Sequence, residues 1–369
     1  MISIRSFAVG LVCVAVLVAT VARADVFNMP SGQGNSGWKP DEAGKYLDER
    51  QKVWFGHANC ISCHTGLPYA LARPALHKLV GAKTPSEQET KLLAQIRRRV
   101  ANWKKLDTKE FGLYYDASDE LKKQSWGTEA VFNAVILAFD DHYQGKSSPS
   151  EATKQAFARL WQTQVTGGDH KGTWEWLDFN EPPWGNKEAR YVGAALAAIA
   201  VGTAPGCYTA GADADTEARV RLLRGYLKDQ LPKQNLHNRA WGLWASTQVE
   251  GILTKAEQNE LSDRLLAKQQ ADGGWRLLAL GPWARSLGST RLSASDSYAT
   301  ALVLHVLQTA GMPKDHTKVA KGLDWLKRNQ AATGAWLSVS LIKKRDPASH
   351  TGKFMSDAAT AFAVLALDH

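Results

Sequence analysis

Apolar residues recur at helical spacing along most of this chain. In KGLDWLKRNQAATGAW, Lys321 to Trp336, Leu323 and Leu326 fall on one face with Val319, and charged residues fill the other. That stripe predicts an amphipathic helix. A Gly/Trp-rich loop follows. Next comes SDAATAFAVLAL, Ser356 to Leu367, small and apolar on every side. A helix of the second kind has to be buried, whereas one of the first kind lies outside.

The same plan of outer helix, loop and inner helix returns along the sequence. LLAKQQADGGW, Leu265 to Trp275, precedes SDSYATALVLHVLQTAG from Ser295, and ARLWQTQVTGGDHKGTW, Ala158 to Trp174, precedes ARYVGAALAAIAVG from Ala189. Weaker copies pair Glu217 to Gln230 with Arg239 to Gln248, and Glu87 to Lys105 with Gly127 to Asp140. The first copy is KYLDERQKVWFGHANCISCHTG, Lys45 to Gly66, with an inner helix from about Pro68 to Leu79. Strand signals are nearly absent. Six hairpins predict an all-α fold of about twelve helices. An open solenoid would end in polar capping repeats, yet the C-terminal segment is apolar, so closure into a single (α/α)6 barrel, or toroid, is expected. Closure gathers the outer-to-inner loops, among them 52–67, 165–188, 271–294 and 333–355, at one end, where a site is expected.

The N-terminus reads separately. A short basic start with Arg5, an uncharged apolar run from Phe7 to Val21 and Ala22-Arg23-Ala24 form a secretory signal peptide with an A-x-A cleavage site. The run is short for a membrane span. The expected organisation is a signal peptide at 1–24, an N-terminal extension at 25–40 and the barrel at 41–369, with export, by this reading to the periplasm. The chain has 369 residues, 44% of them apolar, and a net charge of +9. This mild basicity permits contact with acidic proteins or a membrane surface. The charges are scattered, so nucleic-acid binding is not expected.

The pattern K-G-x-x-W-L-x-x-x-Q-x-x-x-G-x-W at Lys321–Trp336, matched in part by Leu265–Trp275, resembles the QW motif of squalene–hopene cyclases and related terpene cyclases. The resemblance implies an α/α toroid in which Gln bonds backbone at the helix end and Trp seals the loop. It also implies, as one reading of function, an acid that protonates an isoprenoid. The D-x-D-D that carries this acid in the family does not occur here. GADADTE, with Asp213 and Asp215, is the nearest match, and it is expected to cap an outer helix.

Cys60-Ile-Ser-Cys63-His64 fits the C-x-x-C-H signature of c-type haem attachment. Two thiols on one turn can reach the two vinyl groups of one porphyrin, and the next residue brings an imidazole under the iron. A redox disulfide between Cys60 and Cys63 lacks a thioredoxin-like context, and a structural zinc site lacks a second C-x-x-C. Both remain alternatives. With three cysteines after cleavage (Cys60, Cys63 and Cys207), an odd count suits two of them being consumed by haem c. The haem loop is expected at 56–67, with His64 as proximal ligand. Met355 is the positional candidate for the distal position, ahead of Met29 and Met312. His170 is a further loop histidine, His57 lies too close to Cys60 to cross to the opposite haem face, and His305 reads as a core histidine.

Acids recur at inner-helix starts: Glu129, Asp296 and Asp357. Capping accounts for them, with Ser295 and Ser356 as N-caps and the acids in the first turn. Alternatively, Asp296 and Asp357, in matching repeat positions, ring the cavity mouth and donate a proton. The loop GTWEWLDFNEPPWG, Gly172 to Gly185, is unusually aromatic and long enough for a lid. Together these features point to a redox role, either electron transfer with a partner protein or oxidation of an apolar, isoprenoid-like molecule in the barrel. A cyclase-like isomerase and a non-catalytic haem-bearing binding protein are the alternatives.

Overall fold

The computed structural model describes residues 37–58, 61–112, 114, 116–206, 213–283, 294–343 and 345–369. The expected signal peptide, most of the extension, Met29, Cys60 and Cys207 lie outside the described residues. Among the described residues there are twelve α-helices and no strand, only isolated bridges. The outer helices are α1 (Pro40–His57), α3 (Glu87–Ala101), α5 (Glu151–Thr163), α7 (Ala214–Gln230), α9 (Lys255–Leu266) and α11 (Thr317–Arg328). The inner ones are α2 (Gly66–Val80), α4 (Asp119–Tyr143), α6 (Arg190–Thr203), α8 (Leu236–Gln248), α10 (Ser297–Thr309) and α12 (Phe354–Asp368). No helix among the described residues is long and apolar enough to cross a membrane.

The inner helices form a closed ring. α2 packs on α4, α4 on α6, α6 on α8, α8 on α10, α10 on α12, and α12 on α2 again. The predicted (α/α)6 barrel is the observed fold. Small residues make this ring possible: every residue from Tyr191 to Val201 of α6 is buried, and six of these eleven are alanine or glycine, so neighbouring backbones approach closely. Four of the six outer helices begin where a short polar side chain replaces a missing helical partner. Ser86, Ser150, Asp213 and Thr254 each accept hydrogen bonds from first-turn backbone amides. Asp213 is thus the cap expected from GADADTE. One boundary moves. Sequence reading starts the second inner helix at Gly127, but α4 starts at Asp119, where Ser118 caps the amide of Leu121. The charged segment before Gly127 stays partly exposed, so it carries no burial pattern to mark it as helix.

The Gln/Trp loops work as staples between repeats. The indole N–H of Trp174, Trp275 and Trp336 donates to the carbonyl of Leu160, Leu265 and Leu326 at 2.7, 2.7 and 2.9 Å. The amides of Gln164, Gln269 and Gln330 bond their own loop and also reach a carbonyl of the next outer helix or its cap, on Arg219, Lys318 and Lys39. The last of these joins the end of the chain to its start, since Lys39 caps α1 and its N–H donates back to Gln330 at 2.7 Å. Gly334 stands in that seam at φ 83°, where a Cβ would strike the Glu42 carbonyl. Gly172 and Gly273 repeat the arrangement.

Gly334→Ala should therefore lower stability by about 1–3 kcal/mol, the cost of a strained backbone position. Gly225→Ala, inside α7 with nothing within 4 Å of the added methyl, should raise it by ~0.5–1 kcal/mol. Thermal melts of the two variants check the contrast; equal shifts would contradict the seam.

Candidate functional site

At the end of the barrel where the outer-to-inner loops emerge, a cavity of about 130 Å³ opens to solvent. One wall is the turn Ile61–His64 with Trp54 of α1; the other is aromatic, made by Phe132, Trp176, Phe179 and Trp184. Its polar patch consists of Ser125, Thr128 and a buried pair in which Arg99 Nε and Nη2 hold both oxygens of Glu129 at 2.7 and 2.6 Å. The aromatic loop serves two purposes. Trp174, Trp176 and Trp184 are buried and pack it down, while Trp176 and Trp184 also face the cavity. Phe179 remains 47% exposed at the mouth, and the neighbouring Glu181 is tied to Lys343 and Arg345 of the loop before α12.

The turn before α2 is shaped by Ser62, whose hydroxyl accepts from the amides of Thr65 and Gly66 at 3.1 and 2.9 Å. This side-chain turn places Cys63, His64 and Thr65 on one turn running into the helix, whose N-cap position is Thr65. Both Cys63 and His64 line the cavity. Cys63 also borders a small, wholly apolar void of about 10 Å³ inside the barrel, shared with Trp184, Trp241 and Phe362.

His64 is held from behind. Its Nδ1 lies 2.8 Å from Thr65 Oγ1, and that hydroxyl is 2.7 Å from Asp357 Oδ2. Arg50 grips the same carboxylate through Nε at 2.7 Å and Nη2 at 3.0 Å, and the Tyr46 hydroxyl reaches it at 2.8 Å. These four donors occupy the four lone-pair positions of an ionised carboxylate. Asp357 is therefore an acceptor only, Thr65 donates to it, and Thr65 must accept from His64 Nδ1–H. That fixes the tautomer: Nε2 carries the lone pair, with no hydrogen-bond partner among the described residues. Phe354 stacks on the imidazole at 3.5 Å between centroids and Trp54 meets it edge-on at 5.1 Å. Burial, aided by His350, Arg50 and Arg345, holds the pKa of His64 well below the usual imidazole range, so it is neutral at pH 7. A neutral imidazole with one nitrogen held and the other bare is the form a metal requires, and the carboxylate behind it strengthens the donor.

The structure distributes the other sequence candidates differently. Asp357 is 1% exposed, does not line the cavity, and has no proton to give in this network. Asp296 is the N-cap of α10, accepting from the Ala299 amide at 3.0 Å and from the Ser338 hydroxyl at 2.7 Å. It replaces Ser295, the expected cap, whose hydroxyl instead donates to Asp272. Ser356 is not a cap either; it lies inside α12 and bonds the Ser338 backbone. The two acids do not occupy matching positions. The amides of Trp275 and Trp336 donate to Thr300 and Thr360, which makes those threonines equivalent and pairs Asp296 with Ser356. Asp357 is thus one residue, about 100°, around the helix from that position. Glu129 is the one carboxylate lining the cavity among the described residues, and Arg99 bonds both of its oxygens.

Met355 is buried in the core on α12, the helix that backs His64. It therefore comes from the same side as His64. Met312 follows α10, at the other end of the barrel. His170 faces a separate surface groove with Lys187 and Asn235. His305 is a core histidine, its Nδ1 3.0 Å from His369 Nε2. His57 stacks on His350 at 4.2 Å near the rim. Among the described residues, no group of three or more His, Cys, Asp or Glu could hold a metal ion by itself. Sequence reading missed Arg50, Thr65 and Phe354 entirely.

Burial pushes Asp296 up to about 6, against the pull of the Ala299 amide and Ser338. An acid raised in the folded state binds a proton more tightly there. Its destabilising charge is absent below the ordinary aspartate range and complete above pH 6. A shift from 3.8 to about 6 corresponds to ~3 kcal/mol. Asn caps as well as Asp. Asp296→Asn should thus raise the melting temperature at pH 8 and leave it nearly unchanged at pH 4; an equal shift at both would contradict the burial cost.

No family model and no curated protein matches this sequence. A crystal structure described as a possible member of the GH105 family from Salmonella enterica subsp. enterica serovar Paratyphi A is similar at 15% identity. The match covers 91% of this chain and 84% of that one, with a TM-score of 0.31.

Proposed function

We propose that this chain is an exported haem c protein built on a squalene–hopene cyclase-like toroid, and that it oxidises an apolar molecule held against the aromatic wall of the cavity. The observation that carries the reading is His64, neutral, with Nδ1–H locked through Thr65 to Asp357 and Nε2 bare at a cavity it shares with Cys63. Cys60 and Cys63 would hold the porphyrin covalently, and His64 Nε2 would be the proximal ligand. Bound there, haem supplies one-electron chemistry and the activation of oxygen or peroxide.

The residues of the chain do the rest. Thr65 keeps the imidazole in one tautomer. Asp357 makes it a stronger donor, and Arg50 neutralises the carboxylate so that its charge can stay buried. Phe132, Trp176, Phe179 and Trp184 offer an apolar ligand dispersion contacts and exclude water from it. Among the described residues that line the cavity, Cys63 is the sole sulfur ligand and His64 the sole imidazole. With Met355 buried in the core, this suits oxidation of a molecule in the cavity better than a simple electron carrier with Met355 as second ligand. Turnover would draw or deliver electrons through a redox partner protein. Cyclisation by Asp296 or Asp357 is not favoured, because one is a helix cap and the other is locked to Arg50.

A pyridine haemochrome spectrum of exported protein should give a c-type signal that disappears in Cys60→Ala, Cys63→Ala. The reduced protein should bind CO. Thr65→Val should keep the haem but raise its reduction potential, because the imidazole loses the link to its carboxylate. Absence of the c-type signal from wild type sinks the proposal, and a low-spin spectrum indifferent to CO removes the oxidation half of it.

A further inference from the structure

Beneath the cavity, three buried side chains from separate elements meet. Trp184, which lines the cavity, donates its indole N–H to the Tyr298 hydroxyl at 3.2 Å, with the rings edge to face at 5.1 Å between centroids. The same hydroxyl lies 2.9 Å from His237 Nε2. Tyr298 and His237 are both fully buried, each near the start of its inner helix.

The proton positions follow from the bonding. Asn238 Nδ2 donates to the Glu188 carbonyl at 2.9 Å and to Gln234 Oε1 at 3.0 Å, so Asn238 Oδ1 is an acceptor. His237 Nδ1, 3.0 Å from that oxygen, must carry the ring proton. Its Nε2 is then bare and accepts the phenolic proton. Trp184 can only donate, so the tyrosine O–H has no other direction. Burial holds the pKa of His237 down at about 4, so it is a free base at neutral pH, and burial raises the phenol pKa above its ordinary value. Cys63 and Asp296 are the other titratable groups near this hydroxyl.

We infer that Tyr298 is a redox-active tyrosine, with His237 as its proton acceptor and Trp184 as its contact with the cavity. A one-electron oxidant in the cavity takes one electron from Tyr298. The phenolic O–H bond breaks, an N–H bond forms at His237 Nε2, and a neutral phenoxyl radical faces an imidazolium. Re-reduction by one electron returns the proton. The inference rests on the proposed function only for its natural oxidant, haem that peroxide has oxidised beyond the ferric state; the chemistry of the pair stands on its own geometry. Beyond Tyr298, Trp241 and Trp244 stack at 5.4 Å in the barrel core and could take up the same charge.

Flash-generated tris(bipyridyl)ruthenium(III) supplies one oxidising equivalent whether or not haem is present, and a haemochrome assay on the same full-chain sample reports separately on the proposed function. The expected result is a neutral tyrosyl radical by EPR. The radical should be absent in Tyr298→Phe and form at least about 10²-fold more slowly in His237→Leu, the scale of a positioned general base. In wild type, which needs no variant to fold, 15N-histidine labelling should reveal a radical hydrogen-bonded to an exchangeable proton on a histidine nitrogen. A radical unaffected by Tyr298→Phe, or a wild-type radical with no histidine-bound proton, would overturn the assignment.

Discussion

The Asp357 carboxylate is the interaction on which both fold and site depend. It stands on the last inner helix and accepts from Tyr46 and Arg50 on the first outer helix and from Thr65 in the turn between the first two helices. A ring of helices has to be closed somewhere, and this one closes where the final helix α12 meets the first hairpin. Arg50 and Asp357 are 5% and 1% exposed, so the pair is nearly dry. Removing one partner would leave a buried charge, a cost of roughly 3–5 kcal/mol. The outer seam at Gln330 and Lys39 makes the same join a layer further out. Closing the barrel and orienting His64 are thus one event: the imidazole is held only when the ends of the chain have met.

That coupling explains why the fold was legible in the sequence and the site only in part. Helical period, small apolar inner helices and recurring Gly/Trp loops are local patterns, and they give the twelve helices and their order. C-x-x-C-H is local too. What positions His64 is not: Arg50 lies 307 residues from Asp357, and on an amphipathic outer helix it reads as one more exposed charge. The Gln staples share this character, since a residue that looks like a helix end in fact binds the next repeat. The pairing of Asp296 with Asp357 fails for a different reason. The two Ser-Asp sequences follow their tryptophans at the same spacing, but the bond from Trp275 to Thr300 spans 25 residues and that from Trp336 to Thr360 spans 24. One extra residue rotates a helical register by about 100° and sends the two side chains to different neighbours.

The cavity shows how the scaffold and a site can share residues. Trp176 and Trp184 are buried enough to seal their loop, yet they form the apolar wall of an opening that also contains a bidentate Arg99–Glu129 pair. Trp184 then continues inward to Tyr298 and His237, linking the cavity to the barrel core through a polar contact. Polar groups placed so deep must be fully satisfied; here each hydrogen bond has one permitted direction, which fixes the two tautomers used above.

The central claim is that His64 Nε2 binds iron at the loop end of the toroid. Anomalous diffraction at the iron edge from crystals of the full-length protein tests it most directly. The account predicts one peak per chain, at bonding distance from His64 Nε2 and beside Cys63. Full-length protein without such a peak, or with iron away from His64, would contradict it.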